Sequence, residues 1–399
     1  MNILVLTTLY PNNVQHRHGI FIENRVKELV KRYPETKVKV IAPVPYFPSW
    51  LPIGSDKQYN KVVQQENRFG IDIYHPKYWV IPKIGMNITP HFLYRTCLAM
   101  IAEIQEQGFS IDVIDAHYFY PDGVVASWVG KKLNIPVMVT ARGSDINVIP
   151  ENSIAKKRIV KAITDVQASA GVSQALVDEM IKLAPLAKPP IVLRNGVDLD
   201  FFHPDAVQPQ LPFELERDEK LILSVGNLVE LKGHHLVIEA LKSLANVKLI
   251  IIGEGEERAN LQRQVADLSL TDRVLFTGNI LQADLPGYYA RADALVLASS
   301  REGMPNVLLE SLACGTPVVA TNVGGNSEVI TQGGIGLLLK ERSTQYLIQA
   351  LMTTFADTDS SEKIRFFSYQ LSWQETSKKQ HACLRALLTS NPKDSKIHG

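Results

Sequence analysis

The sequence predicts an α/β protein made of two doubly wound parallel-sheet domains, and three observations carry that expectation. The chain has 399 residues, about twice a typical domain length. Short β-branched runs alternate with longer helical patterns, and the alternation stops and restarts once, as parallel strands joined by crossover helices require. Between the two blocks, residues 201–220, FFHPDAVQPQLPFELERDEK, carry three prolines and many charges and read as a linker.

In the first block, strands are expected at residues 3–7, 37–42, 112–116, 137–141, 166–172 and 191–193. Phe21, Val26, Leu29 and Val30 recur at helical spacing after the first of them. In the second block, strands at 221–225, 248–252, 274–277, 294–298 and 318–321 alternate with helices near 234–245, 256–268, 284–291 and 306–313. A last helix is expected over 372–390, with Trp373, Leu384 and Leu387 apolar. The domains are therefore placed at 1–200 and 201–371. No short repeat occurs, so the chain is not a solenoid. Open parallel sheets bind ligands outside the carboxyl ends of their strands. Two such sheets suggest a cleft between those edges and one substrate per domain, although fold alone proves no function.

A composition of 45% hydrophobic and 21% charged residues excludes disordered, collagen-like and fibrous classes. The net charge of +1 hides an asymmetry: residues 1–195 hold 23 Lys+Arg against 16 Asp+Glu, and the remainder 19 against 25. Cys97, Cys314 and Cys383 form no CxxC pair, so neither a disulfide framework nor a zinc site is expected and a reducing compartment fits best. MNILVLTTLYP lacks the basic leader and cleavage site of a signal peptide. No run approaches the ~18 apolar residues of a membrane span. The expectation is a cytoplasmic protein whose membrane contact would be peripheral.

The densest motif is Glu302-Gly303-Met304-Pro305-Asn306-Val307-Leu308-Leu309-Glu310, directly after the strand expected at 294–298 and thus at a carboxyl edge. Pro305 suits the first helical position and Gly315 the helix end. A helix start there makes an anion site, and Gly303 permits close backbone approach. Glu310 lies about 7.5 Å along the helix from Pro305 at 1.5 Å per residue. Two carboxylates flanking an anion site suit a sugar, a diphosphate and a ribose in a row. Gly19, in RHGIF, sits between the first strand and first helix, where a tight loop can approach a phosphate.

These segments resemble the retaining glycosyltransferases of family 4, which have the GT-B fold and a signature of two Glu separated by seven residues, here Glu302 and Glu310. The resemblance continues in SVGNLVELKGH (224–234), IIIGEGEER (250–258), RNGVD (194–198) and GIFIENR (19–25) and covers nearly the whole chain. Within the family it points to enzymes of bacterial exopolysaccharide, capsule and teichuronic-acid assembly.

The resemblance implies that Glu302 contacts hydroxyls of the transferred sugar and Glu310 the nucleotide ribose. It places Gly303, Met304, Asn306 and Val307 around the phosphates, with Lys232 as the phosphate lysine beside Gly226. An arginine usual in the family is replaced by Asn227, so one cation is missing, with Arg142, Arg194 or Arg301 as candidate substitutes. His117 matches a histidine near the reacting sugar. Arg142 and Asp145 match a segment in which His usually stands at the Arg142 position, and with Arg194 and Asn195 they are candidate cleft residues. The implied donor is a UDP- or GDP-sugar and the implied acceptor a saccharide or polyprenyl-phosphate-linked saccharide, with no metal and no nucleic acid. No DxD pair is expected at the cleft, in keeping with the metal-independent chemistry that the resemblance implies.

Two other readings stay open: a GT-B-like phosphorylase or epimerase, and a nucleotide-sugar-binding protein with weak or no transferase activity, motivated by Asn227. The stretch 43–52, PVPYFPSWLP, reads as a semi-rigid loop and a candidate wall of the acceptor site. Residues 152–164, with Lys156, Lys157, Arg158 and Lys161 beside Ile154, Ile159, Val160 and Ile163, and the helix near 88–104 are candidate edges toward an anionic membrane. Gly253-Glu254-Gly255 lacks the third glycine of a dinucleotide fingerprint, and the adjacent His234 and His235 point apart in a helix.

Overall fold

The computed structural model describes residues 1–46, 55–81, 85–184, 188–357 and 361–389. The chain divides into unit 1, Met1–Asn195 with Gln374–Gly399, and unit 2, Gly196–Trp373. Residues 47–52 of the proline-aromatic stretch and the tail from Ser390 lie outside the described residues.

Unit 1 begins with β1 (Asn2–Leu6), α1 (Ile20–Arg32), β2 (Lys37–Ile41), β3 (Val44–Tyr46), β4 (Gln65–Arg68), β5 (Ile71–Tyr74), β6 (Lys77–Trp79) and α2 (Gly85–Glu106). It continues with β7 (Val113–His117), α3 (Val124–Leu133), β8 (Val137–Ala141), α4 (Ser144–Asn147), α5 (Ser153–Asp165), β9 (Ala168–Gly171), α6 (Gln174–Leu183) and β10 (Ile191–Val192). The main sheet runs β10-β9-β8-β7-β1-β2-β5-β4. Only the edge strand β4 is antiparallel to its neighbour. Its sequence, QENR, has no apolar alternation, and so no strand was expected there. Residues β3 and β6 form a separate two-stranded pair.

The amphipathic helix α1 shows why this unit closes. Ile22, Val26 and Leu29 recur at i, i+4 and i+7 and are buried against Ile3, Val5, Val38 and Val40 of the first two strands. Each such side chain contributes about 1.5–3 kcal/mol when fully buried. At the helix entry, Gly19 has φ 71°. A Cβ there would lie 2.2 Å from the Leu9 carbonyl oxygen, so backbone packing alone demands glycine.

Unit 2 holds β11 (Lys220–Val225), α7 (His234–Ala240), β12 (Val247–Ile252), α8 (Arg258–Asp267), β13 (Val274–Gly278), α9 (Leu285–Arg291), β14 (Ala294–Leu297) and α10 (Asn306–Ala313). After them come β15 (Val318–Thr321), α11 (Asn326–Val329), β16 (Gly336–Leu339), α12 (Thr344–Ala356) and α13 (Ser361–Ser368). The sheet is wholly parallel, in the order β13-β12-β11-β14-β15-β16. The core packs Leu249 and Ile251 against Val237, Leu241, Leu347 and Leu351. Pro305 is the extended residue before α10, not its first helical residue, and the helix is eight residues long.

Helix α14 (Trp373–Thr389) belongs to unit 1 from Gln374 onward. Leu384 and Leu387 join the core beside Ile3 and Val5, and His381 stacks on Tyr33 at 3.7 Å. Among the described residues, no helix is long and apolar enough to cross a membrane.

Both sheets have a topological switch point, where consecutive strands depart in opposite directions from the first strand. In unit 1 it lies between β1 and β7, and in unit 2 between β11 and β14. Ligands of doubly wound sheets bind at the carboxyl side of such points. His117 is the last residue of β7, and Glu302 follows β14 by a short loop.

Candidate functional site

At the unit 2 switch point, Lys232 Nζ donates to Glu302 Oε1 at 2.6 Å. Both side chains are partly exposed, 22% and 10%, so a ligand can reach them. Ser299 Oγ donates to the same carboxylate oxygen at 2.7 Å, leaving Oε2 outside both bonds. The loops carrying the pair are tied through Ser300 N, which donates to the Leu231 carbonyl at 2.8 Å. A glycine pair steadies the Glu302 loop from the other side. A Cβ on Gly324 would lie 1.9 Å from the Glu302 carbonyl, and Gly325 N donates to the Gly303 carbonyl at 2.9 Å.

Gly226 and Asn227 follow β11, and Gly226 lies against the Lys232 stem. His234 shapes that loop: its Nδ1 is 2.8 Å from Ser224 Oγ and its Nε2 3.2 Å from the Asn227 carbonyl. Burial pushes His234 down to about 4, so it is a neutral tie at ordinary pH. Glu310, in the second turn of α10, accepts from the Tyr289 hydroxyl at 2.8 Å. Met304 is buried, while Asn306 and Val307 are half-buried in the first turn of α10. An Arg342 clamp also supports this edge, Nε donating to the Ala298 carbonyl at 2.9 Å.

The unit 1 switch point is polar but sealed. His117 and Asp115 are 0% exposed. Arg142 NH2 donates to His117 Nδ1 at 2.9 Å and its NH1 to Asn195 Oδ1 at 3.1 Å, while the guanidinium lies 5.2 Å over the Phe21 ring. Buried Arg25 of α1 donates to Asn195 Oδ1 at 3.3 Å and to the carbonyls of Leu193 and Arg194 at 2.9 and 3.0 Å. His117 Nε2 is 3.7 Å from Asp115 Oδ2, which accepts from Gln380 Nε2 of α14 at 2.6 Å.

Desolvation, reinforced by the Arg142 and Arg25 charges, holds His117 well below its ordinary value. Burial pushes Asp115 up to about 6, against the pull of Arg25, Gln380 and Arg142. Asp145 is engaged by backbone: it accepts from Phe119 N at 2.8 Å, Arg142 N at 3.0 Å and Gly143 N at 2.7 Å. It therefore fixes the turn that presents Arg142. A second buried carboxyl, Asp122, accepts at Oδ2 from Thr8 N at 2.7 Å, Thr8 Oγ1 at 3.0 Å and Thr7 Oγ1 at 3.4 Å. Burial pushes it up to about 7.

The model of the glycosyl transferases group 1 matches residues 208–370, and that of glycosyltransferase family 4 matches residues 22–201. A putative teichuronic acid biosynthesis glycosyltransferase of Bacillus subtilis is 31% identical over 360 residues, spanning 88% of each chain. The chain belongs to glycosyltransferase family 4. A second family relative, the N-acetyl-alpha-D-glucosaminyl L-malate synthase of Bacillus anthracis, is 27% identical and spans 75% of this chain and 81% of its own. The fold is that of sucrose-phosphate synthase from Thermosynechococcus elongatus, with TM-score 0.77, 18% identity and coverage of 97% and 99%. Anabaena HepE in complex with UDP and glucose shares it, with TM-score 0.70, 19% identity and coverage of 96% and 99%.

In this family-4 chain, then, the fold brings Lys232 to Glu302, and His117 to Arg142 and Asn195. Among the described residues Gly19 shares no hydrogen bond with His117, Arg142 or Asn195, although Phe21, two residues on, lies under Arg142. Arg194 joins through its carbonyl, which also accepts from Thr376 Oγ1 of α14 at 2.9 Å. Arg301 is exposed. Sequence reasoning missed Ser299, Tyr289, Arg25, Asp115, Asp122 and Gln380. Two of these left a readable trace: Arg25 and Gln380 each interrupt an apolar helical stripe, between Ile22 and Leu29 and between Trp373 and Leu384.

Proposed function

We propose that this glycosyltransferase moves a sugar from a UDP- or GDP-sugar to a hydroxyl of a saccharide or polyprenyl-phosphate-linked saccharide in cell-surface polysaccharide assembly. The anomeric configuration is retained and no metal is needed. The observation that carries the reading is the reachable Lys232–Glu302 pair at the unit 2 switch point. A charged hydrogen bond of this kind is worth about 1.5–3 kcal/mol, little enough for a diphosphate to compete for the ammonium.

Unit 2 binds the donor. As the bond from C1 to the phosphate oxygen breaks, Lys232 stabilises the charge growing on the diphosphate. Released from it, Glu302 stays oriented by Ser299 and accepts from sugar hydroxyls. The acceptor oxygen adds to C1 on the face the phosphate leaves, and that phosphate takes the acceptor's proton. Unit 1 serves the acceptor, with Arg142 as its charged group and neutral His117 behind it. The likeness to a putative teichuronic acid glycosyltransferase and to an N-acetyl-alpha-D-glucosaminyl L-malate synthase supports a saccharide-building role.

Delivery at an anionic membrane belongs to the same proposal. In α5, Ile154, Lys156, Lys157 and Lys161 are exposed. Arg158 faces the protein instead, donating to the Asn87 carbonyl and lying 6.0 Å over Trp128. Lys161 pairs with Asp165 at 3.1 Å. The candidate membrane edge thus shrinks to Ile154, Lys156 and Lys157.

A nucleotide-sugar screen, read by thermal stabilisation and acceptor-dependent release of nucleoside diphosphate, tests the reaction. Proton NMR of the new linkage tests retention, and EDTA is expected to leave the rate unchanged. Donor binding in calorimetry without release of diphosphate for any acceptor would instead favour a binding protein, the reading that Asn227 invites. Flotation with anionic liposomes at low salt tests the membrane step, and free protein staying at the bottom removes it.

A further inference from the structure

We propose that Gln380 of α14 is a positioning residue for the unit 1 cluster: it holds Asp115, Asp115 fixes the tautomer of His117, and His117 with Asn195 aims the Arg142 guanidinium. The proposal rests on the assignment of this cluster to the acceptor side of the reaction. It follows from which atoms can give a proton and which can only accept one.

Arg142 has donors and no acceptor. Its 2.9 Å bond therefore requires a lone pair on His117 Nδ1, and the ring proton is on Nε2. That N–H lies 3.7 Å from Asp115 Oδ2, beyond hydrogen-bond distance, so the carboxylate favours the proton on Nε2 through its charge. The same oxygen accepts from Gln380 Nε2 at 2.6 Å. The chain of contacts runs from a helix late in the sequence, through β7, to a half-buried cation at the carboxyl edge of the sheet.

The supporting atoms are not saturated. Asp115 Oδ1, His117 Nε2, Arg142 Nε and Gln380 Oε1 are buried without a hydrogen-bond partner among the described residues, so each remaining contact has few substitutes. The charged and titratable groups around Asp115 are Arg25 from α1, His117 on its own strand, Arg142 from the loop after β8 with Asp145 beyond it, and Cys383 from α14. Gln380 is the neutral donor that keeps Asp115 an acceptor in this setting. Without it, Asp115 takes a proton from solvent, and the negative charge that favours the N–H on Nε2 is gone. The ring proton can then move to Nδ1, where it opposes the N–H of Arg142 and releases the guanidinium.

Gln380→Leu and Gln380→Glu test this in the full-length enzyme, with the donor and acceptor found by the screen above. In 15N-histidine-labelled protein, with His117 assigned through His117→Gln, the wild-type ring should be neutral with Nδ1 unprotonated, and Gln380→Leu should shift it toward Nδ1–H. Turnover of Gln380→Leu should fall about tenfold, as for a misplaced group, with the donor KM held within about twofold. In Gln380→Glu the two carboxyls share a proton, which restores the donor. Its turnover should approach wild type in acid and fall as pH rises, giving an alkaline limb absent from the wild type. An amide that merely docks α14 would produce no such limb.

An unchanged His117 spectrum in Gln380→Leu overturns the proposal, as does a Gln380→Glu deficit equal at every pH. The spectrum is recorded without substrate. Full turnover by His117→Gln and Arg142→Gln would therefore remove the acceptor-side reading separately, while the spectrum judges the Gln380 relay without reference to turnover.

Discussion

Lys232 and Glu302 meet where ligand can reach them, whereas His117 and Asp115 hold the corresponding point of the other sheet out of contact with solvent. The two sheets share a strand logic, with the first strand flanked by the second on one side and by a later strand, β7 in unit 1 and β14 in unit 2, on the other, and both place polar residues at the carboxyl edge. They differ in desolvation. In unit 2, an ion pair at a partly exposed edge can be exchanged for bonds to a ligand. In unit 1, Arg25, Asp115 and Asp145 are buried and compensated by Asn195, Gln380 and backbone groups, and under the proposal His117 acts through the orientation of Arg142. The same topology thus carries an exchangeable pair in one sheet and a desolvated cluster in the other.

The sharpest way to break this contrast is to remove the exchangeable pair. Glu302→Ala and Lys232→Ala should each lower turnover by about 10²–10³, as for a lost transition-state donor or anchor. Stopped assays of released nucleoside diphosphate measure this, and activity within about threefold of wild type would leave the unit 2 switch point without a catalytic role. A smaller effect is expected at Glu310, which the resemblance assigns to the donor ribose. Tyr289→Phe deletes the hydroxyl that fixes Glu310 and should raise the donor KM about three- to tenfold with turnover little changed; a fall in turnover at constant KM would move Glu310 from binding to chemistry.

The smallest effect probes the sealed side and is read in stability. Asp122 is pushed up to about 7 from 3.8, so the folded state binds more protons than the unfolded chain between these values. Its contribution to stability is therefore fully present below about pH 4 and is lost as pH rises through about 7. Wild-type protein should lose more Tm than Asp122→Asn between pH 5 and 7.5, by about one to a few degrees in differential scanning calorimetry. Parallel curves for the two proteins would show that the carboxyl is not desolvated as the structure implies.

Much of this architecture was legible beforehand because its central strands, such as LILSV and KLIII, are buried on both faces and read as continuous apolar runs. Two of the strands that escaped had physical reasons to do so, whereas Ile71–Tyr74, IDIY, carries a legible alternation. Gln65–Arg68 is a polar edge strand, and Gly336–Leu339 carries no β-branched residue. The Glu302 loop was legible because its residues are neighbours in sequence and a glycine, a proline and two carboxylates have strong local requirements. The Gln380–Asp115 contact joins residues 265 positions apart, and no local pattern encodes a partner at that distance. What could be read was the anomaly alone: a polar residue on a helical face that otherwise goes inward. Gly19 teaches the converse, since its motif suggested a phosphate while the Leu9 backbone already requires glycine there.

The return of α14 to unit 1 also has a consequence for synthesis. A ribosome releases residues 1–195 long before Leu384, Leu387 and Gln380 emerge, and the whole of unit 2 is made in between. Domains generally fold as they leave the ribosome, the N-terminal one first. Here the first domain waits for α14, with an apolar seat beside Ile3 and Val5 unfilled until that helix is made. A chain truncated after Trp373 should thus carry a complete unit 2 and an unfinished unit 1, and the interval is one in which a chaperone has something to cover.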